Sequence, residues 1–115
     1  MKRDIGFLQG FFEAPQLEQQ RTQAGKAYLE FLRVSSMSAG IYVLPAGSSD
    51  LQRPHKQDEM YYVISGKARM RVGSEDQFVK EGGIIFVAAK VEHHFHDIEE
   101  DLTVLVFFAP AETEL

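Results

Sequence analysis

The sequence predicts an all-β protein, an antiparallel sandwich or barrel built as one domain. Three observations carry that expectation. From Lys26 onward, short runs rich in Val, Ile, Phe and Tyr recur, separated by turn signals bearing glycine or proline. No stretch beyond residue 25 places its apolar residues at a helical period. The chain has 115 residues, enough for one modest core. Many short strands in so small a chain are accommodated by a sandwich or a closed barrel.

Residues 1–25 stand apart as an N-terminal extension. IGFLQGFFEAP carries Phe7, Leu8, Phe11 and Phe12 and needs a surface to lie on, whereas PQLEQQRTQAG is polar and reads as a loop or short helix. Residues 26–115 carry the strands. AYLEFLRV and SMSAGIYVLP are extended runs, and PAGSSD turns the chain. EMYYVIS and KARMRV are expected to pair as a tight hairpin across Ser65 and Gly66, with Gly66 at positive φ. VGSED turns into DQFV, and KEGG is a glycine turn leading to GIIFVAA, which is expected to be buried. VEHHFHDI and DLTVLVFFAP are expected as the last two strands.

The strands are of two kinds. In KARMRV, Ala68, Met70 and Val72 alternate with Lys67, Arg69 and Arg71, so one face is buried and the other wet. MYYVI and TVLVFF are apolar on both faces, and a barrel interior covers only one. The N-terminal phenylalanines or a second subunit are the natural cover, and a homodimer is expected.

Composition narrows the function. Apolar residues make up 44% and charged residues 25%, as in an ordinary soluble protein. The net charge is -5 and no basic stripe is present, which argues against nucleic acid as a partner. There is no cysteine, so a metal would be held by nitrogen and oxygen ligands. The weakly apolar IGFLQGFF is broken by Gln9 and two glycines, headed by Asp4, and followed by no small-residue cleavage site. No run approaches the ~20 apolar residues of a membrane helix, so no membrane partner and a cytoplasmic location are expected.

The segment Gly47 to Gly66 resembles the first motif of the cupin superfamily, G(X)5HXH(X)3-4E(X)6G. Gly47, His55, Glu59 and Gly66 match, and Arg53 stands where the family usually has its first histidine. Gly82 to Asp97 is similar to the second motif, G(X)5PXG(X)2H(X)3N. Gly82 and His93 match, Asp97 replaces the asparagine, and Ala88 and Lys90 replace the proline and glycine of the turn. The resemblance is to small single-domain bacterial cupins, and the two motifs cover about a third of the chain. It implies a cupin-like antiparallel β-barrel, the jelly roll or double-stranded β-helix. It also implies ligand duty for His55, Glu59 and His93 toward a divalent transition metal such as Fe, Mn, Ni or Zn.

The residues allow the same chemistry on their own terms. Imidazole and carboxylate are what a first-row metal takes in a cysteine-free chain, and two histidines with one carboxylate form the set of non-haem Fe(II) oxygenases. The competing reading pairs His55 with Glu59 as a simple contact at a strand end. In HHFH, alternation puts His93, Phe95 and Asp97 on one face and His94 and His96 on the other. Arg53 cannot ligate a metal. Gln57, two residues beyond His55, offers an amide oxygen in its place. Arg53 itself either faces the cavity as a fork for a substrate carboxylate, or turns outward at Pro54 toward Asp50. Parity places Tyr61 and Val63 with Glu59, and Met60, Tyr62 and Ile64 opposite, making Tyr61 a candidate donor to a ligand beside Arg53.

The expected function is that of a small metal-binding cupin, an Fe(II)- or Mn(II)-type dioxygenase or a metal-assisted isomerase acting on a small anionic molecule. The alternative class is a non-catalytic ligand-binding module with a structural metal or none.

Overall fold

The computed structural model describes residues 9–113. The expectations for Phe7 and Leu8 therefore lie outside the described residues. The polar segment that reads as loop or short helix is a helix, α1 (Ala14–Ala24). Pro15 sits in its first turn, where an amide hydrogen would have no intrahelical partner. Gly25 ends it in the left-handed region, with its N–H and that of Lys26 bonded back to Thr22 and Arg21. Leu17 is buried, and α1 packs on the first two strands. Phe12 stacks obliquely on Phe31 at 5.0 Å between ring centroids, while Phe11 remains exposed.

Six strands follow among the described residues: β1 (Tyr28–Val34), β2 (Met37–Leu44), β3 (Asp58–Val72), β4 (Glu75–Lys80), β5 (Ile84–Val87) and β6 (His93–Ala109). All pairings are antiparallel, in the order β1-β2-β6-β3-β4, with β5 also paired to β3. β3 and β6 run beside each other for their full lengths. The first half of β3 lies between β6 and β5, and its second half between β6 and β4. The sheet thereby doubles over on itself as a jelly roll, with the core between its halves.

Two sequence expectations are corrected here. Ser65 and Gly66 do not turn a hairpin. β3 passes through them, and the two-residue turn comes at Gly73 and Ser74, where Val72 pairs with Glu75. Gly66 does have positive φ (+102°), but as part of an irregular stretch in which the β3–β6 register shifts three times between Val63 and Arg69. The last two expected strands are likewise one, β6. Asp97 sits inside it at φ +48° and breaks its alternation. Asp97 is consequently exposed, and Ile98 rather than Asp97 faces in after His93 and Phe95.

The core joins Tyr61, Val63, Phe95, Leu102, Val104 and Phe108 with their neighbours. Ala68 and Met70 face it while Lys67 and Arg71 are exposed, as alternation requires. β5 is a further correction: Val87 is buried, but Ile84 and Phe86 are 67% and 57% exposed. Ile84 lies beside Tyr62, and Phe86 beside Met60, both also exposed, so the outer face of β3 and β5 carries an apolar patch. No helix among the described residues is long and apolar enough to cross a membrane.

Candidate metal centre

Four side chains from two places in the fold converge at one end of the barrel. His55 and Gln57 lie on the irregular stretch that leads into β3, Glu59 is the second residue of β3, and His93 is the first of β6. The approach is fixed by the turn at Ala88–Val91. Lys90 N–H bonds the carbonyl of His55 at 2.6 Å, Ala89 N–H bonds Asp58 Oδ1 at 2.9 Å, and Val91 N–H closes the turn on Ala88. Lys90 stands where the cupin motif has glycine and adopts the left-handed conformation, at φ +70°, which glycine reaches most readily. His93 follows two residues after this turn closes.

His55, Glu59 and His93 offer ligand atoms that all lie within 4.8 Å of one another. Nε2 of His93 is 3.0 Å from Glu59 Oε1, and Nε2 of His55 is 3.9 Å from the same oxygen. The other ring nitrogens are occupied. Nδ1 of His93 lies 2.9 Å from the carbonyl oxygen of Val91, which can only accept, so Nδ1 carries the hydrogen. Nδ1 of His55 lies 2.8 Å from Glu112 Oε2, with the same consequence. Both rings therefore turn Nε2 toward the carboxylate. Gln57 donates through Nε2 to Thr113 Oγ1 at 2.9 Å, which leaves its amide oxygen free.

His55 Nε2, Gln57 Oε1, both oxygens of Glu59 and His93 Nε2 are all buried without a hydrogen-bond partner among the described residues. Native interiors rarely leave one such atom unpaired. Each of these five carries a lone pair when the imidazoles are neutral. A neutral Nε2 and a carboxylate oxygen 3.0 Å apart repel unless a cation or a proton lies between them. A metal ion held by nitrogen and oxygen donors fits this donor set. A proton is its competitor. Glu112 holds the His55 imidazolium above its ordinary pKa against burial, with help from Glu59. Burial opposes the charge on His93, but the Glu59 carboxylate beside Nε2 and the Val91 carbonyl on Nδ1 outweigh it and raise that pKa too.

The remaining candidates are placed as follows. Arg53 is exposed and makes no hydrogen bond or ion pair with another described residue. Tyr61 is fully buried, and its hydroxyl donates to Gln52 Oε1 at 2.9 Å. Burial first, and Glu59 second, hold its phenol well above the usual range. Gln52 in turn donates to Asp50, which also accepts from Tyr42 and from the backbone of Phe95. That network pins the stretch before His55 to the barrel wall. His94 and His96 lie outside the interior, and His96 contacts Asp76 at 2.8 Å. Sequence reasoning missed Glu112, Thr113 and Tyr28. The Tyr28 hydroxyl is buried without a partner among the described residues. Burial, and then Glu112, Glu30 and Glu59, hold its pKa far above the ordinary value.

A jelly roll that gathers imidazole, amide and carboxylate lone pairs at one end defines a barrel protein with a nitrogen–oxygen donor group that could hold a metal ion. The cupin-domain family profile matches residues 40–108, and the chain belongs to the cupin family. It is 49% identical over 102 residues to an uncharacterized protein of Streptomyces coelicolor, covering 89% of this chain and 97% of that one. Among solved structures it resembles TT1209 of Thermus thermophilus, with a TM-score of 0.70 and 21% identity over 90% of this chain and 99% of that one. It also resembles the plu4264 protein of Photorhabdus luminescens, with a TM-score of 0.59 and 23% identity over 64% of this chain. There the chain spans 62% of the other protein's length. These structural likenesses establish the fold.

Proposed function

We propose that the protein is a metal-dependent enzyme that binds one divalent transition metal through His55, Gln57, Glu59 and His93, and acts on a small anionic molecule as a dioxygenase. The observation that carries the reading is the group of five buried, unpaired lone-pair atoms. Their chemistry is that of the two-histidine, one-carboxylate set with an amide oxygen added in place of the missing motif histidine. A bound metal would supply Lewis acidity and, as Fe(II), reactivity toward oxygen. The chain's own residues hold the donors in register, exclude water with Tyr61 and Phe108, and present the Tyr28 hydroxyl as an unengaged donor. A metal-assisted isomerase would use the same site without consuming oxygen. A cytoplasmic location and the absence of a nucleic-acid partner belong to the same proposal, the second supported by the net charge of -5.

The test needs no substrate. Protein produced without a histidine tag should contain about one transition metal per chain. After reconstitution with Fe(II) it should bind nitric oxide, an oxygen surrogate, and give the corresponding high-spin spectrum. Gln57→Ala should weaken metal binding about tenfold or more, whereas Arg53→Ala should leave metal content unchanged. Unchanged metal affinity in the Gln57 variant would remove Gln57 from the site. Failure to bind nitric oxide would favour a filled coordination shell and a non-catalytic module.

The proposal includes a homodimer through the outer face of β3, β5 and β6. Met60 there adjoins Phe86 and Phe107, and Tyr62 adjoins Ile84 and Leu105. Met60, Tyr62, Ile84 and Phe86 are between 40% and 67% exposed, an uncovered run that monomeric proteins seldom keep. A second copy applied by two-fold symmetry would cover both patches at once. Light scattering should give twice the chain mass of 13.0 kDa, and Met60→Glu with Phe86→Glu should give single-chain mass. A monomeric parent protein would overturn the dimer.

A further inference from the structure

We propose that the segment Ala111–Thr113, which follows β6, is a working part of the metal centre: Glu112 and Thr113 position the two ligands, His55 and Gln57, that lack a strand of their own. This rests on the metal reading above and adds a control on it. Glu59 and His93 are aimed by the hydrogen-bond ladders of β3 and β6. His55 and Gln57 are not, because they lie on the irregular stretch before Asp58. Each is instead tied through its side chain to the segment after β6. Glu112 Oε2 lies 2.8 Å from Nδ1 of His55, and Thr113 Oγ1 accepts from Nε2 of Gln57 at 2.9 Å.

In both cases the contact engages the atom that does not face the site. The bond to Glu112 selects the tautomer that leaves Nε2 of His55 with its lone pair inward. The bond to Thr113 selects the rotation of the Gln57 amide that leaves its oxygen inward. A carboxylate behind a ligating imidazole also raises the ligand's basicity. Glu112 is 95% buried, so its charge is not idle surface decoration.

The segment has its own anchors. Glu112 N–H bonds Ser38 Oγ at 2.9 Å in a buried position, and Arg33 Nη2 bonds the Glu112 carbonyl at 2.6 Å. Arg33 is held in turn by Glu30 at 2.8 Å. The β1–β2 pair therefore holds the segment, and the segment holds the ligands. If docking of the segment favours metal binding, metal binding must favour docking by the same factor.

The experiment uses the full chain, stripped with chelator and titrated with Co(II) and Zn(II) against a chromophoric competitor. Glu112→Gln should lower metal affinity 10- to 100-fold and alter the visible Co(II) spectrum. Glu112→Asp should recover part of the loss. Thr113→Val and Ser38→Ala should each cost several-fold, although Ser38 touches no ligand. In the wild-type chain, Zn(II) should slow hydrogen exchange at the Glu112 amide. Folded Glu112→Gln and Thr113→Val variants with unchanged affinity and spectrum would overturn the proposal and leave the segment a cap on the barrel. If Glu112→Gln fails to fold, Thr113→Val and Ser38→Ala carry the same decision. A wild-type chain that takes up neither metal would overturn the metal reading itself, and this proposal with it.

Discussion

His93→Ala is expected to reduce metal affinity on the order of 100- to 1,000-fold. The magnitude follows from dividing the ~10–16 kcal/mol of a four-ligand site at neutral pH among its ligands, about 2.5–4 kcal/mol each. Nε2 of His93 also lies 3.0 Å from Glu59 Oε1, so its loss leaves a buried carboxylate facing an empty space. The sign of the pH dependence follows from the same contacts. The His55 and His93 pKa values are both raised above the ordinary ~6.5 in the metal-free protein. Protons therefore compete for both Nε2 lone pairs as pH falls through that raised range. Metal affinity should be fully present above it and lost progressively below it. Metal binding should release protons in this range, and His93→Ala should release about one fewer. Calorimetry in buffers of different ionisation enthalpy reads both quantities. Unchanged affinity in the His93 variant would remove it from the site.

How far the sequence reveals this site depends on how local each determinant is. His55, Glu59 and His93 are legible because strand parity and motif spacing are short-range: Glu59 to Tyr61 is one pleat, and His93 to Phe95 another. Gln57 is legible from its spacing, two residues from both His55 and Glu59, although the stretch that carries it and His55 bends rather than running as a strand. Glu112 and Thr113 carry no such signal, since their partners lie 57 and 56 residues away and the segment AETEL has no apolar pattern to place it. The fold class is legible from the strand runs, but strand continuity is not. Glycine at positive φ serves a hairpin turn and an irregular strand equally well, and Ser65-Gly66 between two apolar runs looks like the former. Asp97 hides in the same way, because a residue that breaks alternation leaves the composition of the strand unchanged. The patch of Ile84 and Phe86 reads as buried for a physical reason as well: apolar side chains that await a partner are indistinguishable, in sequence, from those that have a core.

Gly66→Ala is expected to be the most destabilising conservative substitution in the chain, by about 3–4 kcal/mol. Two costs add there. The backbone sits at φ +102°, where an L side chain is strained whatever the space around it. A Cβ would also overlap the carbonyl oxygen of Asp101 and come within 2.7 Å of the Leu102 Cα. Those are backbone atoms of β6, and they have nowhere to go. Leu102 is fully buried and paired with Leu44 of β2, so β6 is held from its other side. For a domain of this size the loss corresponds to a fall in Tm of about 10–20 °C. Gly47→Ala is the control. Its φ is +79°, but nothing lies within 4 Å of an added Cβ, so only the conformational cost of about 1–2 kcal/mol remains. The difference between the two variants measures the close approach of β3 and β6 alone. Equal losses would mean that β3 and β6 do not approach this closely at Gly66. The phase of β3 hangs on the outcome, because the register shifts around Gly66 let Glu59 and Tyr61 face inward in one half of the strand while Ala68 and Met70 face inward in the other.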